Sequence, residues 1–201
     1  MTMVDDQATQ GSTVARRAMI DSQLRVSGVN TDRVLSAFAR VAREDHVPQS
    51  ARAFAYTDRA VRLDNGRQLA APLFYGRMLE EAQVSGDDKV LVVDGGSGYL
   101  PALLGPLAGS IEVIDPASAA AKSRKRGDFT LLLIDGAIEE LPASLVARLA
   151  DNARIVTGLV RNGITRLAFG RASGGQASLS ATAEMGIPLL PEFIAEESWA
   201  F

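Results

Sequence analysis

The chain has no cysteine. That excludes a disulfide framework, thiolate ligation of zinc or an iron–sulfur cluster, and a cysteine nucleophile. It has one histidine, His46. A histidine-rich metal site is therefore excluded, no metal ligand set is expected, and a Ser-His-Asp triad could form only through that residue. No apolar run approaches the ~20 residues that span a bilayer. The first residues, Met1 to Asp6, are acidic and lack the apolar stretch of a signal peptide. The expectation is a cytoplasmic protein with no membrane partner. Positive charge is not in excess either: 21 basic residues face 24 acidic ones, for a net charge of −3. That argues against a broad nucleic-acid surface. Lysine is limited to Lys89, Lys122 and Lys125, so arginine carries the positive charge, the pattern of surface ion pairs.

What is present describes a globular chain. Its 201 residues are 47% hydrophobic and 22% charged, enough for one domain with its own core. The organisation expected is a frayed tail over 1–11, a helical and irregular extension over 12–71, and an α/β core over 72–201. Ser12 and Thr13 can cap a helix to about Val26, ended by Ser27-Gly28. Asn30 or Thr31 caps a second helix with Val34, Phe38 and Val41 on its buried stripe. His46 falls at a helix end, where a structural or capping role is expected. Residues 50–71 read as irregular with short extended pieces, and Asp64-Asn65-Gly66 is a turn signal. Pro72 suits the first position of a helix.

From Lys89 the pattern changes. Lys89–Asp94, Ser110–Asp115, Phe129–Asp135 and Ala153–Thr157 are short apolar runs, separated by glycine turns and helical stretches, one of them from Pro142 to Leu149. Continuous apolar strands alternating with helices predict a parallel sheet covered on both faces. Two further runs, 164–171 and 177–184, flank Ser173-Gly174-Gly175 and predict an antiparallel hairpin at the sheet edge.

The strand ending at Asp94 feeds Gly95-Gly96-Ser97-Gly98 and then a helix. Glycines let a backbone approach a ligand, and a helix start offers free amides. About twenty residues on, Asp115 ends the second strand, where an acid grips ribose hydroxyls. Asp135 ends a central strand beside the same crevice and could orient a substrate amine or hydroxyl.

Several segments carry a resemblance. They are Met19–Arg25, Arg33-Val34-Leu35, Arg43–Pro48, Ala55-Tyr56, Val93–Tyr99, Leu133–Pro142 and the ending from Phe193 to Phe201. In this order they resemble the protein-L-isoaspartate O-methyltransferase family, as a divergent, internally shortened bacterial member. The resemblance implies a Rossmann-like fold and S-adenosylmethionine as cofactor. It also implies methylation of the abnormal carboxylate of isoaspartyl residues in damaged proteins, a repair reaction. The implied cofactor contacts are Asp94, Gly95, Gly96, Ser97, Gly98 and Asp115. The implied acceptor side is Ala70, Ala71 and Pro72, with Asp135 as the catalytic candidate.

The chain departs from the family pattern at three places. The family acid before the turn falls on Val92, and its first glycine falls on Asp94. That carboxylate could bind the cofactor's ammonium group or repel its carboxylate. The family serine before x-Pro falls on Ala70, which has no hydroxyl. Only residues 116–128 separate Asp115 from the next strand. That length holds one crossover, so one strand and the adenine loop are expected to be missing. The basic stretch from Lys122 to Arg126 reads as a solvated connector. Two classes of function stay open: a protein carboxyl methyltransferase, and a non-catalytic relative kept as a binding or dimerisation module, whose cofactor is lost. Trp199 and Phe201 are expected to pack on the sheet edge or to reach a partner, including a second copy in a homodimer.

Overall fold

The structure, a computed structural model, describes residues 3–194. Trp199 and Phe201 lie outside the described residues. The chain opens with helix α1 (Met3–Met19), which runs on through a π-turn, Ile20–Leu24, and a 3-10 turn, Arg25–Ser27. Gly28 ends it at φ 86°, the left-handed stop that glycine adopts without strain. The stretch 3–11, expected to be a frayed tail, is instead the start of this helix. Ser12 and Thr13 therefore sit inside it rather than capping it.

Helix α2 (Asp32–Arg40) buries Val34, Leu35, Ala37 and Phe38. Thr31 stands at its N-cap position but accepts no bond there. Its backbone amide and that of Asn30 instead donate to Glu80, 2.7 Å away in each case. Strands β1 (Val61–Arg62) and β2 (Gln68–Leu69) form a small antiparallel hairpin, which closes through Asp64-Asn65-Gly66. Helix α3 (Pro72–Ala82) then places Phe74, Tyr75, Met78, Leu79 and Ala82 in the core.

The sheet follows. Strands β3 (Lys89–Val93), β4 (Ser110–Ile114), β5 (Phe129–Ile138) and β6 (Leu149–Arg161) are parallel. Strands β7 (Ile164–Ser173) and β8 (Gln176–Glu184) add antiparallel pairs. The spatial order is β4-β3-β5-β6-β7-β8. Gly174 and Gly175 form the β7–β8 turn at φ 58° and 79°, the two positive angles of a type I′ hairpin. Helix α4 (Tyr99–Leu104) joins β3 to β4. The five-residue helix α5 (Pro116–Ala120) leads from β4 towards β5, and helix α6 (Ala143–Val146) from β5 to β6. One short crossover follows β4, as expected from the length of 116–128, and β4 is an edge strand of the sheet. Leu149, expected at the end of a helix, opens β6 instead; β-pairing with Phe129 claims it.

Two apolar clusters sandwich the sheet. The N-terminal helices, α3 and α4 cover one face; α5, α6, Leu190 and Phe193 cover the other. The first cluster joins residues from Met19 to Ile187 without interruption. The N-terminal extension therefore shares its core with the sheet. Among the described residues no helix is long and apolar enough to cross a membrane.

Candidate functional site

The strand order reverses between β3 and β5: the chain leaves β3 for β4 on one side, then returns to β5 on the other. In open α/β sheets the ligand crevice lies at such a point, outside the carboxyl ends of the strands. Asp94, Gly95 and Asp135 stand there.

The turn after β3 is tight. Gly96 and Gly98 hold φ 98° and 68°, conformations open to glycine and strained for other residues. Gly95 lies against β5 so closely that a Cβ would sit 2.5 Å from the Asp135 carbonyl oxygen. The amides of Gly95, Gly96 and Gly98 are engaged within the turn's surroundings. Asp94 accepts from Gly96 at 3.1 Å and from Gly98 at 3.1 and 3.2 Å, one to each carboxylate oxygen. The Tyr99 amide donates to Ser97 Oγ at 3.1 Å. The Gly95 amide donates to the Asp135 carboxylate.

Two further elements press on the turn. His46, in the 3-10 turn Arg43–His46, places Nδ1 2.9 Å from the Ser97 carbonyl. A carbonyl only accepts, so this assigns the hydrogen to Nδ1. The same ring meets Tyr99 edge-on at 5.3 Å. His46 therefore fixes the glycine turn, the structural one of the two roles expected of it. From the β1–β2 hairpin, Asn65 Nδ2 donates to the Gly96 carbonyl at 2.9 Å. Arg67 lies over Gly96, its Cδ 2.7 Å from where a Cβ would stand. Arg67 is itself held by an ion pair with Glu192.

Below the turn lies a buried polar chain. Arg43 is fully buried and donates to the carbonyls of Ala55 and Ala70. Its guanidinium lies over the rings of Tyr75 and Tyr99, at 5.7 and 5.0 Å. The Ala70 amide donates to Tyr75 Oη at 3.3 Å, and the Tyr75 hydroxyl donates to Asp135. Burial pushes the Asp135 carboxyl up to about 7, and the nearby Asp94 charge adds to the shift; the Tyr75 and Gly95 donors only partly oppose it. Burial also raises Asp94 above the usual carboxylate range. Asp135 does not end its strand, as expected, but sits inside β5, which continues to Ile138.

Asp115 caps α5 at the end of β4. Its two oxygens accept from the Ser118 amide at 2.9 Å and the Ser118 hydroxyl at 2.6 Å. These bonds hold its carboxyl below the usual range, so it stays charged, and it is exposed to solvent.

The segment 187–193 straps the crevice. Its Pro188 carbonyl and Leu190 amide pair with Ala137 at 2.8 and 2.9 Å, and Leu190 packs on Gly136. Two clefts meet beside it. One of about 200 Å³ is lined by Arg67, Gly95, Asp135 and Glu192 among others. A larger one of about 600 Å³ is lined by Asp58, Arg59, Ala71, Leu73 and Phe74, with Met185 to Leu189. They share Gln68, Pro188 and Leu189. Of the residues expected on the acceptor side, Ala71 reaches this larger cleft. Ala70 and Pro72 are buried behind it. Sequence reading gave no role to Tyr75, Arg67 or Glu192, and did not connect Arg43, His46 or Asn65 with the glycine turn. Only the Arg43–His46 cluster before Val47-Pro48 carried a signal, and it did not say which element it would touch.

A mostly parallel, doubly wound sheet, a glycine turn at its switch point and an acid capping the next strand define a Rossmann-like nucleotide-binding domain. Comparison with known proteins narrows the class. The family model "Protein-L-isoaspartate(D-aspartate) O-methyltransferase (PCMT)" matches residues 15–122. Protein-L-isoaspartate O-methyltransferase of Koribacter versatilis (strain Ellin345) is 33% identical over 170 residues, covering 73% of this chain and 77% of that protein. Protein-L-isoaspartate O-methyltransferase 2 of Marinobacter nauticus is 32% identical over 218 aligned positions, covering 92% and 94%. Among solved structures, the chain is similar to a protein described as a putative protein-L-isoaspartate O-methyltransferase from Plasmodium falciparum in complex with S-adenosyl-L-homocysteine. The TM-score is 0.69 at 16% identity, over 90% of this chain and 98% of that one. The chain belongs to the protein-L-isoaspartate O-methyltransferase family.

Proposed function

We propose that the protein is an S-adenosylmethionine-dependent carboxyl methyltransferase acting on isoaspartyl residues, with the transfer site between the glycine turn and the larger cleft. The observation that carries this reading is the meeting of the two clefts at Gln68, Pro188 and Leu189. A ligand on the turn and an acceptor in the cleft would face each other there. The cleft is large enough for a side chain with its flanking backbone, and Arg59 stands at its wall to favour a carboxylate.

The residues present fit one half of the cofactor. Asp115 is charged, exposed and at the position that takes ribose hydroxyls. Its loss should weaken adenosyl binding by ~1–3 kcal/mol, the cost of unpaired hydroxyls. The amino-acid half fits poorly. The Gly96 and Gly98 amides that would receive a carboxylate already serve Asp94. Methyl transfer from a sulfonium to a carboxylate needs positioning and exclusion of water rather than a strong base. Asp135, neutral below about pH 7, would hold its proton beside the acceptor without adding a second negative charge. That arrangement lowers repulsion against an acceptor carboxylate.

The non-catalytic reading is favoured by the same closed amides. The test is methyl transfer from S-adenosylmethionine to an isoaspartyl peptide, with the matching aspartyl peptide as control. Transfer to the first alone supports the enzyme. No transfer with folded protein at millimolar cofactor supports the non-catalytic relative.

A further inference from the structure

In the family pattern the residue after the strand is glycine; here it is Asp94. The side chain does not point idly into solvent. It bends back so that its two oxygens take the amides of Gly96 and Gly98. A carboxylate on those amides is what the amino-acid tail of an adenosyl cofactor would itself supply. The charges around Asp94 do not favour a second anion there. Asp135 stands behind Gly95 on β5, its carboxyl sharing a field with that of Asp94. His46 and Arg67 are near, but His46 is bonded to the Ser97 carbonyl and Arg67 is paired with Glu192.

We propose that Asp94 is a specificity-determining residue that occupies the place of the ligand's α-carboxylate, so that the turn is complementary to adenosine thioethers lacking that group. Such a ligand keeps the contacts of Asp115 and the glycine backbone, and meets no like charge. A ligand with the full amino-acid tail must displace Asp94 from both amides before it can seat. This inference rests on the reading of the turn as an adenosyl site. It assigns to one side chain of this chain the choice between two ligand classes.

The test is calorimetric titration of the full chain with two probes, S-adenosylhomocysteine and 5′-methylthioadenosine. They share the adenosine thioether, and only the first carries the amino-acid tail. Wild type is compared with Asp94→Gly and with Asp94→Asn, each checked for a normal unfolding transition. In wild type, 5′-methylthioadenosine is expected to bind at least as tightly as S-adenosylhomocysteine. Asp94→Gly frees the amides and should swing the preference at least tenfold towards S-adenosylhomocysteine. Asp94→Asn keeps the size but removes the charge, and should fall between. An equal preference for S-adenosylhomocysteine in wild type and both variants would overturn the proposal and leave the adenosyl site standing. Failure of every variant to bind either probe would overturn both.

Discussion

Replacing Asp135 by asparagine should stabilise the protein above neutral pH and not at pH 4. The carboxyl is buried, and its folded pKa is raised from 3.8 to about 7. A group raised in the folded state holds its proton more tightly there than in the unfolded chain. Its stabilising effect is complete below the unfolded value, near pH 4, and is lost as pH rises through about 7. A shift of about 3 units corresponds to ~4 kcal/mol at most. Relaxation around the new charge reduces that to ~2 kcal/mol, since effective dielectric constants in proteins exceed those of a dry interior. Asparagine keeps an acceptor for Tyr75 and Gly95 and never acquires the charge. For a domain of this size, ~2 kcal/mol is ~4–8 °C in Tm. Thermal unfolding of wild type and Asp135→Asn, followed by circular dichroism from pH 4 to pH 8.5, measures the difference directly. The wild type should fall behind the variant by that amount between pH 4 and pH 8. A difference that stays constant across the range would refute the placement of an uncompensated carboxyl in β5.

Other perturbations probe the frame around the site. Asp88 is buried and binds the Ser85 amide at 2.8 Å, the Thr130 hydroxyl at 2.7 Å and Arg154. Asp88→Ala should cost ~2–4 kcal/mol in urea unfolding at pH 7. Because these donors lower the Asp88 carboxyl, the loss should shrink as pH falls below ~4. Gly136 has φ 151°, and a Cβ there would lie 2.6 Å from Leu190 Cγ. Gly136→Ala should lower Tm, by ~1–3 kcal/mol of stability, and speed proteolysis within 187–193. Arg67 and Glu192 are both partly exposed, at 28% and 23%. Arg67→Ala should therefore change stability by less than ~1 kcal/mol, and in calorimetry should not weaken an adenosyl ligand, because it uncovers Gly96.

The sequence foretold the sheet because its strands announce themselves. Four apolar runs such as Leu131–Ile134, spaced by glycine turns and helical stretches, have few other ways to be buried. The single crossover after β4 followed from chain length, since 116–128 could hold no more; the edge position of β4 did not, because length does not say on which side of β3 the chain returns. Boundaries were harder. Leu149 fits a helix stripe as well as a strand, and only pairing with Phe129 decides it. The turn and Asp115 were legible as a linear motif. What Asp94 does with its carboxylate was not, because that depends on where the side chain turns once the loop has closed. The companions of the turn were the least legible. Arg43 and His46 reach it from one 3-10 turn and Tyr75 from α3, through bonds that span up to 51 residues of chain, and nothing local marks such contacts. Ala70 was placed on the acceptor side by the family resemblance alone, which aligns it with a serine. Its burial follows from Arg43 and Tyr75 gripping its peptide.

The proposed function requires adenosine to be held at the carboxyl ends of β3 and β4, by the glycine turn and Asp115. Titration of the wild-type chain and of Asp115→Ala with 5′-methylthioadenosine tests that claim most directly, since this ligand avoids Asp94. The account predicts saturable binding to wild type, weakened by ~1–3 kcal/mol, roughly 5- to 150-fold, in the variant. No heat and no thermal stabilisation of wild type at millimolar ligand, or equal binding by both proteins, would contradict it.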